Sequence, residues 1–419
     1  MPELHLDGLL GDAGLAAGDF DRYGATLEGL RHVLLAQVQD PRHPLHHLPP
    51  PQAVLDRVRA AARELRREAI RLVVVGIGGS SLGGRVLCAG EESVLFLEGT
   101  DPRCVDRALR GVDWRRAALN VVSKSGDTLE TLVNAGLALE ALKKAHPAEW
   151  RRRVTVTTSP GEGRLQRWAA VEGVPILEIP AEVGGRYSVL SPVGLLPAAF
   201  AGTDPSALAA GARAGADRAL LLSGRQNPAL CLALALVAFF GAGRTEVDLW
   251  GYGERCHLFA LWVQQLWGES LGRRIAAENG VRHVGPTPLA CRGSEDQHSL
   301  LQLFMDGPPR RWVLLLTASE PGPALGREVC AFAGLPDRIL RVGQIQEALW
   351  RGTERGLAEA GVPVGRFDLG AAKAAPLAEA FYLFQAATLY AAALFEVDPF
   401  GQPGVEAGKR HTRALLERG

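Results

Sequence analysis

The feature that most constrains this chain is a set of short, apolar runs that alternate with helical stretches through its first half: LVVVGIG (72–78), SVLFLEG (93–99), ALNVVSK (118–124) and RRVTVTTS (152–159). A strand that is apolar along its whole length must be covered on both faces, and strands separated by helices run parallel. The pattern therefore predicts an α/β fold, a mainly parallel sheet flanked by helices. AVLDRVRAAARELRRE (53–68) is an amphipathic helix with an arginine-rich outer face, and it leads straight into the first run. A second alternation follows the glycine- and alanine-rich segment 201–217. It comprises an apolar helix at 229–242, the strand TEVDLWGYG, a helix from about His257 through Trp267, strands RRWVLLLTAS (310–319) and DRILRVG (337–343), and helices near 374–395 and 404–417. Two α/β units in tandem are expected, and 419 residues suffice for two or three domains.

Charge and cysteine content narrow the function. With 46 acidic and 46 basic residues the chain has no long-range field to gather nucleic acid or an anionic membrane, so a small molecule is the expected partner. The six cysteines (Cys88, Cys104, Cys231, Cys256, Cys291, Cys330) are scattered, with no C-x-x-C pair and no histidine at zinc spacing. They read as buried free thiols of a reducing cytosol. MPELHLDGLL lacks the basic residues and apolar core of a signal peptide, and the longest apolar run, Ala229 to Ala242, is shorter than the roughly 20 residues a membrane span needs. A cytoplasmic protein is expected. Residues 1–50 read as helical material ending in the loop PRHPLHHLPPPQ, whose His43, His46 and His47 imitate a metal site only superficially.

Two strand-to-helix junctions carry ligand chemistry. GIGGSSLGG (76–84) offers backbone N–H groups at a helix start, where an anion or a polyhydroxyl ligand is favoured. The residues alone leave a ligand loop and a plain turn equally open. Gly76 and Gly78 match G-x-G-x-x-G but Ser81 stands third; Glu98 imitates a ribose-binding acid, and Gly84-Arg85 excludes a P-loop. In SKSGDTLET (123–131) the hydroxyls of Ser123, Ser125 and Thr128, with the amides around Gly126, can surround a phosphate without a metal. The same residues also fit a capping box, Asp127-x-x-Glu130. In QLWGESLG (265–272), Gln265 and Glu269 are four apart and share one helix face. Lysine is scarce: only Lys124, Lys143, Lys144, Lys373 and Lys409 stand among 46 basic residues. A lysine kept amid such arginine bias, as in VDPFGQPGVEAGKR (397–410), suggests work for a compact ammonium.

Those motifs, with GGRYSVLSPVGLLPAA (184–199) and EDQHSLLQLFMDGP (295–308), resemble the glucose-6-phosphate isomerase family, in the same order and over most of the chain. The C-terminal pattern departs from the family's at Gly401, where aspartate or asparagine is usual. The resemblance implies two sugar-isomerase (SIS) type domains, at 53–200 and 201–419. Segment 1–52 and the C-terminal helix would pack on the second. It also implies interconversion of an aldose and a ketose phosphate. On this reading Glu269 moves a proton between adjacent carbons through an enediol, Arg186 stabilises the enediolate, and His298 and Lys409 open the sugar ring. Gly79, Ser80, Ser123, Lys124, Ser125, Gly126, Thr128, Glu130, Gln265 and Gln402 fall at substrate-binding positions. No cofactor and no metal are implied. The partner is a sugar phosphate, and a homodimer with shared sites is expected, in which His298 completes the neighbour's site. Asp127 stands where the family commonly has threonine, and its carboxylate would repel a phosphate unless its oxygens turn away. Arg273, where many relatives have lysine, reads as a structural charge. The rivals are a bifunctional glucose/mannose phosphate isomerase and a noncatalytic sugar-phosphate sensor.

Overall fold

The computed structural model describes residues 1–9, 15, 18, 22–277, 280–336, 338–371 and 373–418. Its strands, in chain order, are β1 (Glu3–His5), β2 (Arg71–Val75), β3 (Val94–Leu97), β4 (Ala117–Val122), β5 (Val154–Thr158), β6 (Ile176–Glu178), β7 (Glu246–Tyr252), β8 (Arg273–Ala277), β9 (Gly280–Val284), β10 (Thr287–Gly293), β11 (Arg311–Thr317), β12 (Ala324–Leu325), β13 (Leu340–Arg341) and β14 (Val364–Asp368). Two five-stranded sheets form, in the orders β3-β2-β4-β5-β6 and β1-β14-β11-β7-β10. The first is parallel throughout, and the second is parallel except at its edge, where β1 runs antiparallel to β14. The expected α/β architecture is thus present twice.

Side chains alternate across each strand, and the alternation sorts the core. Leu72, Val74, Ala118 and Val122 face a large apolar cluster that also takes in Val247, Leu249, Trp312, Leu314 and Phe367 of the second sheet. Val73, Val75, Leu119 and Val121 face a separate cluster on the outer side of the first sheet. The central cluster is filled by helices Pro192–Phe200, Pro205–Leu221, Pro228–Gly241, Glu254–Leu271 and Ala374–Leu394. Each sheet therefore has a partner on both faces, as unbroken apolar strands require.

Several details differ from the sequence reading. The segment 201–217 is mostly helix, Pro205–Leu221, laid closely along Ala374–Leu394. Its small residues permit that approach. DRILRVG yields only the two-residue β13, because the Gln344 side chain accepts from the Arg341 N–H at 2.9 Å and helix Val342–Glu359 begins there; Asp337 of that run lies outside the described residues. Ala374–Leu394 is the one helix among the described residues long and apolar enough to cross a membrane, yet 89% of its apolar window is buried in the fold. Its continuity was masked in sequence by Glu379, which is buried and paired with Arg218 at 2.6 Å. Near the N-terminus, β1 joins the second sheet, and helix Gly24–Gln37 rests on helices Pro205–Leu221 and Ala374–Leu394. The C-terminal helix Glu406–Arg418 corrects the expectation that it packs there, since nearly all its described residues are exposed. Of the six free cysteines, Cys104 is exposed and the rest are buried.

Close helix contact makes a testable pair of glycines. A Cβ on Gly211 would stand 2.0 Å from the Ala375 carbonyl oxygen, whereas one on Gly136, in helix Leu129–Ala145, meets nothing within 4 Å. Gly211→Ala is expected to destabilise the fold by about 1–3 kcal/mol through overpacking, and Gly136→Ala to stabilise it by about 0.5–1 kcal/mol through helix propensity. Urea unfolding of the two variants checks the opposite signs.

Candidate active site

In the first sheet the chain leaves β2 to one side for β3 and returns to the other for β4, so the order reverses between β2 and β4. Crevices for ligands in open parallel sheets form beyond the carboxyl ends of the strands at such a reversal. The loops that follow β2 and β4 are GIGGSS and SKSGDT, and both line one cavity of about 490 Å³. That volume suits a small metabolite. Around it stand Gly79, Ser80, Lys124, Ser125, Thr128, Arg186, Gln265, Glu269 and Gln402.

Gly79 is needed for packing: a Cβ there would meet the Gly185 carbonyl oxygen at 2.3 Å, so the loop after β2 lies directly against the loop carrying Arg186. The loop after β4 is organised by its own hydroxyls. Ser123 Oγ lies 3.0 Å from Thr128 Oγ1 and accepts from the Gly126 N–H at 3.1 Å, and Ser125 Oγ accepts from the Asp127 N–H at 3.2 Å. Ser123 and Gly126 are buried and shape this nest from behind. Lys124 is half-buried in the cavity wall, and burial draws its ammonium below the usual lysine value against the opposing pull of Glu182. Asp127 caps neither its own helix nor a ligand: Thr128 occupies the N-cap, and Asp127 Oδ1 accepts from Arg164 N–H, at the start of the next helix, at 3.2 Å. The capping box is absent, and the carboxylate turns to the neighbouring helix. Glu98, the imitation ribose acid, is held by Ser81 at 2.6 Å and Arg85 at 2.9 Å.

The opposite wall comes from the end of helix Glu254–Leu271 and the segment 398–402. Glu269 is about one-third exposed. Its Oε1 accepts from Gln265 Nε2 at 3.0 Å, its Oε2 accepts from Gln402 Nε2, and Arg186 Nε lies 3.3 Å from Oε2. The i, i+4 spacing of Gln265 and Glu269 does what the helix period requires. Arg186 is 3% exposed; its Nη1 donates to Ser270 Oγ and the Pro399 carbonyl, both at 2.9 Å, and Nη2 to the Phe400 carbonyl at 2.8 Å. Burial draws its guanidinium below the usual arginine value, with Tyr187 and Glu269 opposing. Nε faces the carboxylate without forming an aligned hydrogen bond, so the pair is ionic.

Three nominated residues lie elsewhere. Glu130 sits in the first turn of helix Leu129–Ala145 and does not line the cavity. His298 is exposed in the turn after β10, which is fixed by Asp296 and by Gln297 donating to Tyr252 Oη at 3.0 Å. Lys409 donates to Glu406 at 2.9 Å, one turn back on the exposed terminal helix, a surface pair, and does not line the cavity. Sequence reasoning missed the third wall, Ser159–Gly163 with Gln166, whose only signal was the glycine-rich SPGEG at the end of β5. Among the described residues no cluster suits a metal ion; His46 and His47 bond the carbonyls of Val38 and Pro41.

Loss of the Asp127 carboxylate removes the acceptor of the Arg164 N–H, and Asp127 does not line the cavity. Asp127→Ala is expected to cost about 1 kcal/mol of stability while changing inorganic phosphate affinity by less than about twofold. Urea unfolding and phosphate titration calorimetry measure the two effects.

Comparisons with known proteins agree in one direction. The sequence model of the family described as phosphoglucose isomerase matches residues 53–310. A glucose-6-phosphate isomerase of Thermus thermophilus is 37% identical over 407 residues, covering 94% of this chain and 95% of that one. The crystal structure of a hypothetical protein from Thermus thermophilus superposes with a TM-score of 0.87 at 34% identity, covering 99% of this chain and 100% of that one. A glucose-6-phosphate isomerase structure from Chlamydia trachomatis gives a TM-score of 0.74 at 21% identity, over 87% and 73% of the two chains, and speaks for the fold.

Proposed function

Since the chain belongs to the phosphoglucose isomerase family, we propose that it interconverts glucose 6-phosphate and fructose 6-phosphate with Glu269 as the base of an enediol proton transfer. The observation that carries the mechanism is that the hydroxyl nest of Ser125 and Thr128 and the carboxylate of Glu269 line the same cavity. The phosphate binds the nest and Lys124, while the reacting carbons reach Glu269. Gly79, Ser80 and Gln265 contact the sugar hydroxyls. Ser123 and Gly126 hold the nest in shape, and Glu130 braces its helix.

In the open-chain sugar the hydrogen on the carbon beside the carbonyl leaves as a proton to Glu269, and its bonding pair forms the carbon–carbon double bond of the enediolate. Negative charge moves to the carbonyl oxygen, where the buried Arg186 cation lowers the barrier. A proton then passes from the hydroxyl of the first carbon to the former carbonyl oxygen, and Glu269 returns its own proton to the former carbonyl carbon as the new carbonyl forms. The two amide donors, Gln265 and Gln402, keep the carboxylate in one orientation for both transfers. No metal and no cofactor enter this scheme.

Ring opening needs a second proton carrier, and His298 and Lys409 are proposed for it across a homodimer, His298 reaching the partner's cavity. Their exposure in the single chain supports a site completed by a second copy. The proposal includes a division into units 53–200 and 201–419 and a cytoplasmic location.

A coupled assay of fructose 6-phosphate conversion to glucose 6-phosphate tests the activity. Glu269→Gln is expected to keep substrate affinity within about tenfold and to lower turnover by about 10²–10⁴-fold. More than a tenth of wild-type turnover in that variant would remove Glu269 as the base. Mixing inactive His298→Ala with inactive Glu269→Gln chains is expected to restore one competent site per mixed dimer, about half the wild-type rate per dimer. No recovery in verified heterodimers would show that His298 serves its own chain.

A further inference from the structure

Arg273 is the first residue of β8, two positions beyond helix Glu254–Leu271. Its guanidinium reaches four backbone carbonyls. Nη1 donates to the oxygens of Glu269 at 2.7 Å and Gly272 at 3.0 Å, Nε donates to Asp398 O at 3.2 Å, and Nη2 donates to Gly401 O. The first two contacts occupy carbonyls that a helix end leaves without partners, and a cation suits that end of the dipole. The other two tie down the segment whose next residue, Gln402, donates to the Glu269 carboxylate.

Arg273 thus grips the base twice, by its own backbone and through the neighbour that orients its side chain. Arg186 seizes the same segment from inside at Pro399 and Phe400. Phe400 is also wedged edge-on to His43 at 5.9 Å and against Tyr187 at 5.8 Å. Within this arrangement Arg273 alone bridges the helix end to the residue adjoining Gln402. A planar fork with donors on three sides can span both; a lysine ammonium cannot reach all four oxygens at once.

We propose that Arg273 is a positioning residue for the isomerisation: it fixes the pose of Glu269 and keeps the Gln402 amide on its carboxylate, an inference that rests on Glu269 being the base. The phosphate nest, on the far wall, is untouched.

The test compares Arg273→Ala, Arg273→Lys, Gln402→Ala and the Arg273→Ala/Gln402→Ala double variant in the coupled assay. Arg273→Ala is expected to lower kcat about tenfold with KM for fructose 6-phosphate within about twofold. Arg273→Lys should recover part of the lost turnover, and the double variant should fall below Gln402→Ala by clearly less than the tenfold that Arg273→Ala costs alone, because part of Arg273's effect runs through Gln402. If Arg273→Ala lowers only the melting temperature, leaving kcat at the wild-type value, the residue is structural and the inference fails. Effects that multiply in the double variant also overturn it. Should Arg273→Ala not fold, Arg273→Lys carries the same comparison. Glu269→Gln, measured alongside, separates the two readings: full activity there defeats the base assignment, whereas an inactive Glu269→Gln beside a wild-type-like Arg273→Ala defeats only the positioning role.

Discussion

The arrangement of the site depends on one buried cation. A guanidinium taken almost wholly out of water is tolerated only when its N–H groups find acceptors and its charge finds a counter-charge. Arg186 finds them in two separate stretches, Ser270 and Glu269 at the end of one helix and the carbonyls of Pro399 and Phe400 near the chain's end, while its own loop lies against Gly79. Satisfying Arg186 therefore assembles the base, the strap bearing Gln402 and the ligand loop after β2 into a single wall. Replacing it would leave the Glu269 carboxylate without its nearest cation and two carbonyls without donors. The binding surface and the local fold cannot be varied independently there.

That wall lies where the sheets require it. The helices between the two sheets fill a continuous apolar cluster fed by both, so the long helix Glu254–Leu271 follows β7 of the second sheet while its far end reaches the carboxyl edge of the first. The proposed phosphate nest comes from the first sheet's own loops, and the proposed base from the helix that follows β7. A cavity between them is a consequence of packing two α/β layers on shared helices, with the reversal between β2 and β4 deciding which loops open toward it.

The sequence made the interior legible and the exterior much less so. β2, β4, β5, β7 and β11 are buried along nearly their whole length and are dominated by apolar and β-branched residues, a pattern that sequence displays openly. The hairpin β8–β9 is largely exposed and rich in arginine, β10 contains proline and glycine, and β14 is five residues with a polar end, so periodicity gave no sign of them. Helix Pro205–Leu221 was hidden by the feature that lets it pack: glycine and alanine on its contact face look like a spacer. Within the site, spacing alone announced the pairing of Gln265 with Glu269, and motif order announced Arg186 and Gln402. The cap that Asp127 gives to Arg164 was invisible, since it joins residues 37 apart in sequence.

The division between what one chain encloses and what it leaves outside has a physical logic. Proton transfer between adjacent carbons demands a fixed carboxylate, and Glu269 is fixed by two amides and an arginine within a single chain. His298 and Lys409 sit instead on a surface turn and a terminal helix whose Leu415 and Leu416 are 72% and 64% exposed. Exposed leucines on an otherwise charged helix are uncovered apolar surface, which a second copy of the chain would remove from water at about 25 cal/mol per Å². The proposed homodimer would then draw on that burial to bring the ring-opening groups to a cavity that each chain has already built around its base. Assembly would complete the acid–base machinery without disturbing the Arg186 wall, because that wall satisfies its own charges before any partner arrives.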